Sequence, residues 1–81
     1  MSVDVHVPKM GMSTVEVVVT EVLVSPGDEV EAGQGLVVVE GDKVTFEIAA
    51  EVSGVVEEVL VVPEQECNVG DVVVRLGATT R

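Results

Sequence analysis

The sequence predicts an all-β domain, a sandwich or barrel of short strands, and three observations carry that expectation. Valine dominates the apolar residues, long helix-forming stretches are missing, and turn residues recur every several positions. β-Branched side chains lose rotamer freedom in a helix and pack well on a pleated sheet. Short apolar runs broken at this spacing read as strands of a sandwich or barrel. Apolar residues make up 47% of the chain, far too many for a disordered polymer. Eighty-one residues suffice for one small domain, assigned to residues 1–77. Residues 78–81 read as a frayed tail or the start of a linker.

The elements follow in order. Val3 to Val7 alternates valine with Asp4 and His6, and Pro8 ends it because proline cannot donate to a ladder. Lys9 to Ser13 forms a loop around Gly11. A long strand runs from about Val15 to Val24. Pro26-Gly27-Asp28 is a turn, with proline fixing φ and glycine permitting a positive one. Glu29 to Glu31 is a short strand ended by Gly33. Leu36 to Glu40 and Val44 to Ile48 flank a tip at Gly41 to Lys43. Alternation in the second of these puts Val44, Phe46 and Ile48 on one face, which predicts Phe46, the only aromatic residue, in the core. Ser53-Gly54 turns the chain. Val55 to Val62 is a second long strand stopped by Pro63, and short strands at Glu66 to Asn68 and Val72 to Leu76 complete the set.

An internal repeat organises these elements. Glu21-Val22-Leu23-Val24 recurs as Glu58-Val59-Leu60-Val61. At the same offset Pro26 matches Pro63, Glu29 matches Glu66, Val30 matches Cys67, Gly33 matches Gly70 and Val37 matches Val74. Halves this small cannot fold alone, so they share one core, most simply about a pseudo-two-fold axis. Cys67 takes the place of a valine and is expected to be a small buried apolar residue. The Gly41–Lys43 hairpin then joins the halves at one end, with the two termini close together at the other.

Charge and cysteine content exclude several classes. Fifteen carboxylates face only four lysines and arginines, for a net charge of −11. Such a surface repels nucleic acid and anionic membranes, so neither is expected as a partner. No apolar run approaches a membrane span and no signal peptide opens the sequence. A single cysteine excludes an internal disulfide and a multi-thiolate metal site, and no metal is expected. A reducing compartment, the bacterial cytoplasm or the mitochondrial matrix, fits a non-secreted domain with one free thiol. The isolated domain is expected to be a monomer.

Lys43 is the feature with chemical content. It lies in Val39-Glu40-Gly41-Asp42-Lys43-Val44-Thr45, between two strand-like runs, with only Lys9, Arg75 and Arg81 as other cations. A tight hairpin lifts a side chain clear of the sheet while the flanking strands fix its direction. Gly41 suits the turn, and Asp42 can hydrogen-bond its own backbone there. A turn lysine alone is most often merely solvated, so this pattern is by itself a weak sign of modification.

The segments Glu40-Gly41-Asp42-Lys43-Val44, Phe46-Glu47-Ile48 and Gly54-Val55-Val56 resemble those of the lipoyl domains of 2-oxo acid dehydrogenase acyltransferases, within the biotinyl/lipoyl attachment family. Val7-Pro8-Lys9-Met10-Gly11-Met12-Ser13, Pro26-Gly27-Asp28-Glu29-Val30, Gly33-Gln34 and Glu64 to Asp71 resemble its other segments in the same order, so the likeness spans about residues 3 to 76. It implies a flattened barrel of two four-stranded antiparallel sheets with quasi-two-fold symmetry. It also implies lipoate in amide linkage to Lys43, with no catalytic residue in the domain itself. Glu40, Gly41, Asp42, Val44, Glu47 and Gly54 would be recognised by the modifying enzyme, and the loop Gly11, Met12, Ser13 and Thr14 by a partner. Implied partners are a lipoate ligase, or an octanoyl transferase with lipoyl synthase, a thiamine-dependent decarboxylase, an acyltransferase core and dihydrolipoyl dehydrogenase. Two positions depart from the family pattern: Gly41 stands where threonine or serine is usual, and Val17 where glycine commonly follows the residue equivalent to Glu16.

Three alternatives stand beside this reading. A biotin carrier shares the fold, but its lysine is usually flanked by methionines, whereas Asp42 and Val44 flank Lys43. An unmodified structural hairpin domain is the second. A small enzyme is the third, and His6, the only histidine, has no nucleophile near it in sequence.

Overall fold

Each valine-rich run becomes a strand because its alternate side chains have a common interior to face. The structure, a computed structural model, describes residues 2–8, 16–41 and 44–77. The strands are β1 (Ser2–His6), β2 (Glu16–Val22), β3 (Glu29–Val30), β4 (Gly35–Glu40), β5 (Thr45–Ala49), β6 (Gly54–Val59), β7 (Glu66–Asn68) and β8 (Val72–Gly77), with no helix among the described residues. They form two four-stranded antiparallel sheets, ordered β1-β8-β6-β3 and β5-β4-β2-β7. Between them lies a core of valines with Leu36, Ile48, Leu76 and Cys67, and no buried polar or charged side chain among the described residues.

The pseudo-two-fold axis extends to individual hydrogen bonds. It exchanges β2 with β6, β3 with β7, β4 with β8 and β5 with β1, which is why the two strand orders are the same list under relabelling. The Gly27 amide donates to the Val56 carbonyl, and its counterpart, the Glu64 amide, donates to Val19. The Asp28 carboxylate accepts from the Ser25 amide, as the Gln65 side-chain oxygen accepts from Val62. The bulges repeat too. Thr20 and Glu57 are the extra residues where β2 meets β4 and β6 meets β8, and Leu36 and Val73 where β4 meets β5 and β8 meets β1. A bulge turns two successive residues toward one face, so Leu36-Val37 and Val73-Val74 are both fully buried pairs.

One pair of counterparts is chemically unequal. Gly27 has φ +96° and Glu64, after Pro63, has φ +73°. Both turns need the left-handed region, but only glycine enters it without a steric penalty. Glu64→Gly is expected to stabilise the domain by about 0.5–1 kcal/mol, and Gly27→Ala to destabilise it by a similar amount. Thermal melts of the two variants check this, and a fall in Tm for Glu64→Gly would refute it.

The structure corrects several strand-level expectations. The strands of residues 15–24 and 55–62 are shorter than expected, because their ends at Leu23 and Leu60 leave the ladder to donate to Leu36 and Val73 across the bulges. Ser53-Gly54 is not a turn: the chain bends at residues 51–52, and Gly54 begins β6 opposite Val30. Phe46 is half-buried at the edge of the core rather than within it. Exposure on this face falls from 39% at Val44, just before β5, to 2% at Ile48 within it, because the end of the sandwich leaves the hairpin side of the strand with less cover. Cys67, opposite Val17, is buried as expected.

Burial pushes the Cys67 thiol above its ordinary range, and the Asp71 carboxylate adds to the shift. The raised value means that the fold favours the protonated thiol, so its contribution to stability is present at neutral pH and lost as pH climbs past the ordinary thiol range. Native protein is therefore expected to react with a thiol reagent only as fast as it unfolds, and labelling across a urea series should follow the unfolding curve. Full labelling before unfolding would contradict the burial.

Candidate functional site

The hairpin joining the two halves is β4–β5. Its register runs from Gly35 opposite Ala49 to Glu40 opposite Thr45, and the Gly41 amide closes it with a 2.7 Å hydrogen bond to the Val44 carbonyl. Two residues, Asp42 and Lys43, remain to connect Gly41 with Val44. Both lie outside the described residues. The six-residue length of β4 puts the Glu40–Thr45 pair about 17 Å from Gly35 at 3.3 Å per residue. On the inner side of β4, Leu36, Val37 and Val39 are fully buried, so the strand leading to the turn is held by the core.

Ser2 and Gly77, the first and last described residues, occupy the opposite end. Ser2 pairs with Gly77 as the two-fold counterpart of Thr45 pairing with Glu40. Where the second half of the sequence leaves an opening between chain ends, the first half has the Asp42-Lys43 connection. The Asp42-Lys43 connection therefore joins the strands at the end opposite the Ser2–Gly77 pair.

The expected recognition residues do not form one cluster. Glu40 and Val44 flank the connection, both exposed, and Gly41 is half-buried beside it. Glu47 is exposed on the outer face of β5, and its carboxylate lies over Gly35, where a β-carbon would come within 2.5 Å of Oε1. That places its charge toward the far end of the hairpin. Gly54 lies further still, in the other sheet beside the Gly77 carbonyl at the terminal end. Its two-fold counterpart, Val17, is a fully buried residue at the hairpin end. Gly11, Met12, Ser13 and Thr14 lie outside the described residues. The ends of their loop are placed: Val7 accepts from the Gly70 amide, and Glu16 pairs with Asn68, so it is anchored at the same end as the hairpin connection.

One residue at this end escaped the sequence reading. Val18 pairs with Glu40 on one side and Glu66 on the other, and its side chain is 37% exposed on the outer face. In the run Val17-Val18-Val19 the flanking valines are buried; only the register shows that the middle one faces out. Among the described residues no group of His, Cys, Asp and Glu side chains is arranged to hold a metal.

Both the sequence and the fold are similar to those of known proteins. The chain is 44% identical over 78 residues to the dihydrolipoyllysine-residue acetyltransferase component of the pyruvate dehydrogenase complex of Azotobacter vinelandii, covering 96% of this chain and 12% of that protein. It is 39% identical over 70 residues to the dihydrolipoyllysine-residue succinyltransferase component of the 2-oxoglutarate dehydrogenase complex of Bacillus subtilis, covering 86% and 17%. The chain thus spans less than a fifth of the length of these curated relatives. The solution structure of the lipoyl domain of the 2-oxoglutarate dehydrogenase complex from Azotobacter vinelandii superposes with a TM-score of 0.77 at 26% identity, over 96% of this chain and 99% of that one. Kluyveromyces lactis urea carboxylase superposes with a TM-score of 0.81 at 22% identity, over 95% of this chain and 6% of that one, a likeness of fold alone. The family described as "Biotin-requiring enzyme", the biotin/lipoyl family, matches residues 3–76, and the chain belongs to it.

Proposed function

We propose that this chain is a lipoyl carrier domain that bears lipoate in amide linkage to Lys43 and serves a 2-oxo acid dehydrogenase-type complex. The observation that carries this reading is the hairpin closed by Gly41 and Val44 at the end of the sandwich opposite the paired termini, with Asp42-Lys43 as its only connection. The donor chemistry fits the group: a primary amine can form an amide with a carboxylic acid, and no other lysine sits between paired strands. When bound, the lipoyl group supplies a strained cyclic disulfide that a carbon nucleophile can open and an oxidant can re-form. The residues of the chain do the rest. The buried side chains of β4 hold the hairpin at a fixed place on the scaffold, so that a tethered arm is kept at high local concentration near several sites.

The partners of such an arm are a lipoate-attaching enzyme, a thiamine-dependent decarboxylase, an acyltransferase core and dihydrolipoyl dehydrogenase, in a reducing compartment. The names of the curated relatives, acyltransferase components of 2-oxo acid dehydrogenase complexes, support this assignment. Biotin is the rival group, since the matching family is described by biotin-requiring enzymes, but Asp42 and Val44 in place of methionines favour lipoate. The test is intact mass and peptide mapping after incubation with lipoate, ATP and a lipoate–protein ligase, and in parallel with biotin, ATP and a biotin ligase. A lipoyl adduct on the peptide containing Lys43 is the expected result. Biotin loading in its place, or no adduct with either, would overturn the proposal.

A further inference from the structure

We propose that Val18 is a specificity-determining contact for the enzyme that acylates Lys43, and that this enzyme docks on the outer face of the β5-β4-β2-β7 sheet at its hairpin end. The inference rests on the carrier reading above and adds to it a direction of approach. Across that end of the sheet the register aligns Glu66, Val18, Glu40 and Thr45 in one row. All four are exposed. Val18 is thus an apolar side chain on the solvent face, set between two carboxylates.

Geometry links this row to the reaction. A specific protein contact covers about 800 Å² on each partner, a patch of roughly 16 Å radius. Strands lie about 4.8 Å apart, so Val18, one strand from Glu40, is within about 10 Å of Gly41, the last described residue of that arm of the hairpin. An enzyme that takes hold of Lys43 from the side of this sheet must cover Val18. An apolar centre with a charged rim is the composition of an interface core, and the acidic rim calls for a basic rim around an apolar contact on the enzyme.

The pseudo-two-fold supplies an internal control. The same row recurs at the terminal end as Glu29, Val55, Gly77 and Ser2. Val55 is the counterpart of Val18 and lies in an equivalent sheet position, but far from Lys43. A charge placed at either valine alters the net charge equally, and only one of them falls under the docked enzyme.

The experiment measures loading of the 81-residue chain by a lipoate–protein ligase with lipoate and ATP, followed by intact mass, with a thermal melt of each variant. Val18→Lys is expected to lower kcat/KM about tenfold or more through KM, because its ammonium offsets the Glu40 and Glu66 carboxylates and meets the apolar contact and basic rim of the enzyme. Val18→Thr, which keeps the β-branched shape, is expected to lower it about threefold, and Val18→Ile to stay within about twofold of the unaltered chain. Val55→Lys is expected to load normally. Loading of Val18→Lys within about twofold of the unaltered chain, or an equal loss in Val55→Lys, would overturn the inference while leaving the carrier reading in place. Failure of the unaltered chain to load would overturn both. Should Val18→Lys not fold, the Thr and Ile variants decide the matter by the same comparison.

Discussion

Lys43→Arg is expected to leave the melting temperature unchanged and to abolish attachment of lipoate. The amide forms only if a neutral amine attacks an activated carboxyl group. A lysine ammonium gives up its proton to do so, whereas a guanidinium remains protonated and delocalised at any working pH. The substitution keeps one positive charge and a long apolar stem between Asp42 and Val44, so the electrostatics of the hairpin change little. Lys9 is the only other lysine; it falls in sequence between β1 and β2, two strands of different sheets, and lies outside the described residues. Intact mass after exposure to ligase, lipoate and ATP reads the outcome. An arginine variant that still gained a lipoyl group would move the attachment site to Lys9 and dissolve the argument from the hairpin.

Gly54→Ala is expected to lower stability strongly while leaving attachment at Lys43 unaffected in the folded protein. A β-carbon at Gly54 would run into the carbonyl oxygen of Gly77. That oxygen belongs to the backbone of β8, whose last residue is paired with both Val55 and Ser2. It cannot swing aside, so β6 and β8 must separate at the terminal end. Overpacking of this kind costs about 1–3 kcal/mol. A domain of 81 residues has only about 4–12 kcal/mol in total. The melting temperature should fall by roughly 5–20 °C. Gly35→Ala is the contrast, since its β-carbon would clash with the far end of the Glu47 side chain, which can move, and would otherwise make an ordinary contact with Leu23, and it is expected to cost much less. Loading assayed below the melting transition distinguishes a structural Gly54 from a recognition residue. A loss of loading at unchanged stability would restore the latter role.

Much of the fold was legible before any coordinates. The 37-residue repeat offset, read from pairs such as Pro26 and Pro63, anticipated the two-fold, the paired termini and the burial of Cys67. It worked because the interior accepts only apolar side chains, so equivalent positions carry equivalent constraints. The bulges were not legible. Strict alternation assigns one of Leu36 and Val37 to solvent, yet both are buried, because the extra residue belongs to the mismatch between two strands and leaves no mark in either. Phe46 was misplaced for a related reason: alternation gives the face of a residue but not how far the opposing sheet extends over it.

For the hairpin, local sequence determined the two flanking strands and the end of the sandwich at which they join, since turn chemistry and the repeat are properties of neighbouring residues and fixed offsets. Only the tertiary structure decided which other residues share that end. It removed Gly54 to the terminal end, turned the Glu47 carboxylate toward Gly35, and brought Val18 beside Glu40. Strand register is a long-range property: three consecutive valines read alike until their cross-strand partners show which one meets the solvent.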